Sequence, residues 1–437
     1  MRLVWLVVFF LIGKGNPEAQ NYYFPPVNND NWETIDPASL GWCTDKIPAL
    51  YNYLQEQDSK AFIVLKDGKI VLEKYFGTFT KDSMWYWASA GKTLTSFLVG
   101  LAQEQGKLDI SDKTSEYLGT GWTSLPPAKE DLITVRHQLT MTSGLDDGTG
   151  DGFCTNPECL RYKADAGTRW AYHNGPYTLL DKVVTNATGQ NLNVFGNQNL
   201  FTKTGMAGLF VKIDFNNVFF SKPRTMARFG SLVLNQGNWG NLEVMKDKTY
   251  WNEMVNTSQD INLSYGYLWW LNGKDKAMLP GSQIVYNRSL FLNAPADMYS
   301  ALGKNGQILN IVPSQNLVMI RMGNFTGDLP VPFLLNDEIW ARFNEIQCST
   351  STTDEVTTKM TVTPNPAHGE VVISSSKEIQ KISLFQANGV VVKDITLPVS
   401  VLTQKVDVSQ LAAGIYLVSV HFTDGTSTTS RFVKAGN

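Results

Sequence analysis

The tetrad Ser89-Ala90-Gly91-Lys92 constrains this chain more than any other stretch. It follows an aromatic run, Met84-Trp85-Tyr86-Trp87, and leads into apolar residues at Leu94, Phe97, Leu98 and Leu101, the spacing of one helix face. The pattern predicts a helix opened by Ser89, with Lys92 on the same side one turn later. The positive end of that helix favours an alkoxide and disfavours an ammonium, and burial lowers a lysine pKa. Both effects push towards a neutral amine beside a serine hydroxyl, a nucleophile with its base in reach. In isolation the same four residues also describe a serine N-cap followed by a solvent-facing lysine, so other segments must decide between the two.

At 437 residues the chain is long enough for two domains. Its 37 basic and 40 acidic residues nearly balance, which gives no reason to expect nucleic acid or an anionic membrane as partner. Met1-Arg2 followed by apolar Leu3 to Ile12 is too short to span a bilayer and reads as a secretory signal peptide over residues 1–20. No later stretch is long and apolar enough for a membrane span. Export permits disulfides. Cys154 and Cys159 are close enough for a small loop, and Cys43 and Cys348 could tie the two ends of the large domain, at a loop-entropy gain of roughly 4–5 kcal/mol. Free buried cysteines are the alternative. The spacing is not that of a zinc site, so neither a metal nor a cofactor is expected.

Ala61 to Leu65 and Ile70 to Leu72 flank Lys66-Asp67-Gly68-Lys69, a hairpin signal. Residues 146–168, rich in Gly, Asp and Cys, read as a long loop over the site. A helical run follows Tyr172-His173-Asn174. Strands are expected at Tyr299 to Gly303, Ile308 to Val312 and Leu317 to Met322, with a closing helix at about 333–346. Ser349 to Asp354 opens a polar linker, placed at 349–358. Beyond it, residues 359–437 alternate short β-rich runs with turns at Asn388-Gly389 and Asp424-Gly425, which predicts a small all-β sandwich.

Three segments carry chemistry in order: Ser89-Ala90-Gly91-Lys92, Tyr172-His173-Asn174 and Lys304-Asn305-Gly306. Tyr172 can relay a proton to a leaving group if a nearby cation, Lys92 or Lys304, lowers its pKa. Asn174 can hydrogen-bond a substrate amide. The N–H of Gln307, after Gly306, can complete an oxyanion hole with that of Ser89. This set resembles the serine β-lactamase and penicillin-binding-protein superfamily, whose signature is S-x-x-K, S-D-N and K-T-G. The Tyr-x-Asn form of the second motif is similar to the class C branch and its esterase relatives. Trp170-Ala171-Tyr172-His173-Asn174-Gly175 and Met141-Thr142-Ser143-Gly144 look closest to stand-alone hydrolases, including 6-aminohexanoate-dimer hydrolases.

The resemblance spans about residues 45–346 and implies an α+β domain over 21–348: an antiparallel sheet flanked by helices, plus a helical subdomain. It implies that Ser89 is acylated, that Lys92 and Tyr172 share general-base and general-acid work, and that Asn174, Lys304, Gly306 and Gln307 bind substrate. Two departures stand out. Asn305 replaces the usual Thr or Ser, which weakens recognition of a β-lactam carboxylate, and Glu158 has the wrong context for a class A deacylating glutamate. Lys203-Thr204-Gly205 spells K-T-G literally, but no strand precedes it. His173 alternates with Tyr172 and Asn174 and is expected to point away from them. With no Gly-x-Ser-x-Gly elbow and no well-placed histidine, a Ser-His-Asp triad is not supported.

Val362-Thr363-Pro364-Asn365-Pro366-Ala367, Leu411 to Leu417 and Arg431 to Lys434 resemble the type A sorting domain of the type IX secretion system. A carbohydrate-binding or adhesion sandwich is the alternative. The combined expectation is a secreted or cell-surface serine hydrolase that acts on a small-molecule ester or amide and meets the secretion machinery through its C-terminal module. The alternatives are a D,D-peptidase or β-lactamase, and a catalytically silent ligand-binding or sensor domain on the same fold.

Overall fold

The computed structural model describes residues 22–148, 150–325, 331–348, 360–386, 391–423 and 427–435. The leader, the 349–358 linker and the turns at Asn388-Gly389 and Asp424-Gly425 lie outside them. The described residues fall into two compact units, one reaching to Cys348 and one C-terminal to it.

The first unit is built on an antiparallel sheet of six strands, in the order Lys69–Tyr75, Ser59–Lys66, Leu317–Gly323, Gln307–Val312, Tyr299–Gly303, Trp270–Leu271. The expected hairpin is the pair at one edge, and the expected late strands form the centre. The three central strands are buried along their whole length, as a sheet covered on both faces requires. Helix Pro223–Leu234 covers one face. A Cβ at Gly230 of that helix would collide with Val318 and Leu309, so glycine permits the close approach. Helix Phe333–Ile346 packs beside helix Ile47–Glu56, and its Asn336 exchanges hydrogen bonds with Asn310 of the sheet at 2.7 and 3.1 Å. Cys43 bonds to Cys348 just beyond this helix, and Cys154 bonds to Cys159 within the long loop.

The helix after Ser89 departs from its expected one-sided pattern. It runs from Lys92 to Glu104, and every residue from Lys92 to Ala102 is buried. Thr93 and Ser96 find partners inside the protein: Thr93 Oγ1 donates to the Ala90 carbonyl at 2.8 Å, and Ser96 Oγ pairs with Tyr250 Oη at 3.4 Å. A helix buried on all sides needs such internal partners for its hydroxyls.

The C-terminal unit is all-β, as expected, and its described residues form a five-stranded sheet that curls on itself. Strands Glu370–Gln386 and Val391–Asp407 each run 17 residues. Their register slips between Ser374 and Ile379, and such irregularities bend and twist a strand. The curled sheet encloses its own core of Val371, Ile373, Ile382, Leu384, Val418, Val420 and Phe432.

Candidate active site

Ser89 sits in a single 3-10 turn, Ala88–Gly91, immediately before the buried helix. The turn is anchored from behind. Trp87 N donates to the Phe219 carbonyl and Trp87 Nε1 to Ser221 Oγ, both at 2.8 Å. Ala88 has φ +47°, a left-handed conformation uncommon for a residue with a Cβ. Strain of this kind survives only where the surroundings over-determine it, and here it directly precedes the hydroxyl.

Lys92 Nζ lies 3.1 Å from Ser89 Oγ and 2.8 Å from Asn174 Oδ1. Its ammonium position is 4.1 Å from the ring centre of Tyr177 and 5.2 Å from that of Tyr172. Lys92 is only 3 % exposed, with no carboxylate contact among the described residues, and burial pushes its pKa down to about 7. Tyr172 stacks on Trp270 at 5.5 Å between ring centres, and its hydroxyl interacts with Ser89. The expectation that a neighbouring cation lowers the Tyr172 pKa is overturned. Burial dominates and raises it, because the amine beside it is itself desolvated. The phenol therefore keeps its proton at neutral pH.

The structure thus brings Ser89, Lys92, Tyr172 and Asn174 together. The side chains of the third segment make no hydrogen bond to these four among the described residues. Lys304 to Gly306 form the turn between strands Tyr299–Gly303 and Gln307–Val312. Lys304 is exposed, with no side-chain partner among the described residues. Asn305 Nδ2 donates to Tyr86 Oη at 2.6 Å. Gly306 faces Arg321 and Leu335, and the Gln307 side chain holds the backbone of Gly323. The residue that does approach the nucleophile is Gly303. A Cβ there would lie 3.0 Å from Ser89 N and 2.9 Å from Ala90 N, and against the Trp87 carbonyl. Gly303 and Tyr177 were missed in the sequence. The second was within reach, since Tyr177 follows Asn174 at i+3 on one helix, Asn174–Thr178. The literal Lys203-Thr204-Gly205 lies at a helix end, with Gly205 as a left-handed C-cap, and not on a strand.

His173 is buried near Asp146, Asp147 and Arg169, without a partner for Nδ1 among the described residues. Burial lowers its pKa to about 4 against the raising pull of the two aspartates. The folded state therefore favours neutral His173. Its contribution to stability is complete above the ordinary value near 6.5 and is lost as pH falls towards 4, by on the order of 3 kcal/mol. Urea midpoints of His173→Gln are expected to fall less steeply than those of the unaltered protein between about pH 6.5 and 4. Parallel slopes would show that His173 does not titrate with unfolding.

Residues 54–341 match the Beta-lactamase family. The chain belongs to that family. Beta-lactamase-fold proteins of this kind are serine hydrolases, and the likeness extends to solved structures. A Bacillus anthracis protein named as a 6-aminohexanoate-dimer hydrolase shares 18 % identity, with 68 % of this chain and 81 % of that one covered, at a TM-score of 0.53. A Bacteroides dorei DSM 17855 protein named as a beta-lactamase shares 17 %, with 70 % and 98 % covered, at 0.54. At these identities the likeness is one of fold. A Bacillus subtilis (strain 168) protein named as penicillin-binding protein PbpX is 26 % identical over 178 residues, 37 % of this chain and 44 % of that protein. The chain thus spans less than half the length of this curated relative. Residues 361–435 match the secretion system C-terminal sorting domain, which marks this beta-lactamase-family chain for type IX secretion to the cell surface or beyond. Among the described residues, no helix is long and apolar enough to cross a membrane, and no cluster is suited to hold a metal ion.

Proposed function

We propose that this protein cleaves a small ester or amide through an acyl-enzyme on Ser89. The observation that carries the reading is the buried Lys92 amine, in contact with both Ser89 Oγ and Asn174 Oδ1. In the uncharged form that burial favours, Asn174 takes one of its N–H groups and its lone pair can face the serine hydroxyl. Ser89 Oγ attacks the substrate carbonyl carbon as its proton passes to Lys92. The oxyanion is met by the N–H of Ser89 and by one at the Gly303–Lys304 strand end, in place of the Gln307 donor expected from sequence. As the carbon–leaving-group bond breaks, Tyr172 gives its proton to the departing oxygen or nitrogen and recovers one from Lys92. Water then attacks the ester on Ser89 by the reverse relay, and the acid is released.

The same reading divides the chain into a leader at 1–20, the hydrolase at 21–348, a linker at 349–358 and the sorting module at 359–437. Asn305 favours esters over lactams, because its amide N–H groups are already directed at Tyr86 Oη at 2.6 Å and Asn324 Oδ1 at 3.5 Å instead of at a substrate carboxylate. We expect turnover of p-nitrophenyl esters to exceed that of nitrocefin by at least about tenfold in kcat/KM, a difference of one good hydrogen bond. Equal or faster nitrocefin hydrolysis would move the assignment to a β-lactamase or D,D-peptidase.

A further inference from the structure

Arg321 is fully buried on the central strand Leu317–Gly323, yet no carboxylate among the described residues touches it, and Asp58 attracts it only from farther off. Its guanidinium spends its donors on uncharged acceptors. Nε–H reaches Ser59 Oγ at 2.9 Å, Nη2 the Gln57 carbonyl at 2.6 Å, and Nη1 the carbonyls of Asn305 and Gly306 at 3.0 and 2.7 Å. Burying a charge without a contacting counter-ion is unfavourable, and only a forked, delocalised cation can satisfy four separate acceptors at once. The backbone makes room for it, since a Cβ at Gly306 or Gly323 would overlap the guanidinium.

The place of this clamp matters more than its strength. Side chains alternate along a strand. Val318 and Ile320 face the Pro223–Leu234 helix, which touches Val318 and Leu309 through Gly230. Leu309 pairs with Ala301, two residues before Gly303, so Gly303 and the Ser89 turn lie on that same face. Arg321 lies on the other, against Leu335 and the Lys304–Gly306 turn. That turn contains two successive left-handed residues, Asn305 at φ +63° and Gly306 at φ +78°. The Asn305 carbonyl accepts from Arg321 Nη1 and from Phe325 N, each at 3.0 Å, and more distantly from Gln307 Nε2 at 3.4 Å. Gly303 and Gln307 flank the turn as direct partners, so the turn's conformation sets where the Gly303–Lys304 backbone stands relative to Ser89 N.

We propose that Arg321 is a positioning residue for acylation: from the far face of the sheet it fixes the Lys304–Gly306 turn and thereby the second oxyanion donor opposite Ser89. The proposal rests on the Ser89 hydrolase reading. Arg321→Lys, Arg321→Met and the milder Ser59→Ala are compared with the unaltered protein, below their unfolding temperatures, for ester kcat and KM and for inhibition by an aryl boronic acid, which forms a tetrahedral adduct with a nucleophilic serine. Both Arg321 variants are expected to lose roughly 10- to 100-fold in kcat and a similar factor in boronate affinity, with KM within about threefold, because the lost interaction exists only in the transition state. Ser59→Ala, which removes one acceptor, is expected to move the same two quantities by roughly two- to fivefold. Lysine should not rescue, since it restores the charge without the fork. Variants that melt earlier but keep kcat and boronate affinity within about twofold would show a purely structural role and overturn the proposal. If the Arg321 variants do not fold, unchanged values in Ser59→Ala overturn it. An unaltered protein that neither turns over esters nor binds the boronate would reject the hydrolase reading, and this proposal with it. Normal turnover with unchanged variants rejects this proposal alone.

Discussion

Ser89→Ala is expected to abolish ester turnover, by roughly a thousandfold or more, while leaving the fold intact. The size follows from chemistry rather than packing. Ser89 carries the aliphatic hydroxyl that accepts from Lys92 Nζ, the neighbouring Tyr172 hydroxyl is a phenol that serves as the acid, and the oxyanion donors alone leave only residual catalysis. The fold should tolerate the change because Ser89 is half-buried and the turn that carries it is held by Trp87, not by its own side chain. Steady-state rates with p-nitrophenyl acetate and mass spectrometry after fluorophosphonate treatment test both parts. Substantial residual turnover, or an adduct on another residue in the unaltered protein, would sink the assignment.

Lys92→Met is the second large effect, and it separates activity from stability. The base is active when neutral, so kcat/KM of the unaltered protein should fall tenfold per pH unit below an apparent pKa of about 7 and level off above it. Methionine should lower the plateau by roughly 10²- to 10⁴-fold and erase the limb. Stability should move the other way. A lysine whose folded pKa is depressed to about 7 from 10.5 contributes its full stability only above the unfolded value and loses it as pH falls towards 7. At neutral pH the desolvated amine therefore costs on the order of 4 kcal/mol, which a methionine in the same apolar surroundings does not. Loss of the contact to Asn174 offsets part of that gain. Melting temperatures at about pH 7 should thus be equal or higher in the variant. A variant that retains the acid limb, or an unaltered protein whose limb lies well below about pH 6, would remove Lys92 from the role of base.

Much of this was legible in the chain itself. The Ser-x-x-Lys spacing, the Tyr-x-Asn pair and the alternation of the late strands are local patterns, and local patterns survive folding. The strand end at Gly303 and the restart beyond it were legible too, in the runs Tyr299 to Gly303 and Ile308 to Val312. No periodicity, however, resolves which backbone group of the connection packs on the Ser89 turn: that depends on the course set by the two left-handed residues Asn305 and Gly306, and it is Gly303 that lies against Ser89 N.

The sequence by itself determined which residue types stand at which intervals: a hydroxyl three residues before an amine, a phenol two before an amide, and a β-rich module after a polar linker. Only the tertiary structure decided that burial favours an uncharged Lys92, that Tyr172 keeps its proton, and that a buried arginine sits behind the strand opposite Ser89. The reason is desolvation. Proton affinity and the demand for hydrogen-bond partners depend on what surrounds a group in space, and those surroundings are assembled from segments hundreds of residues apart.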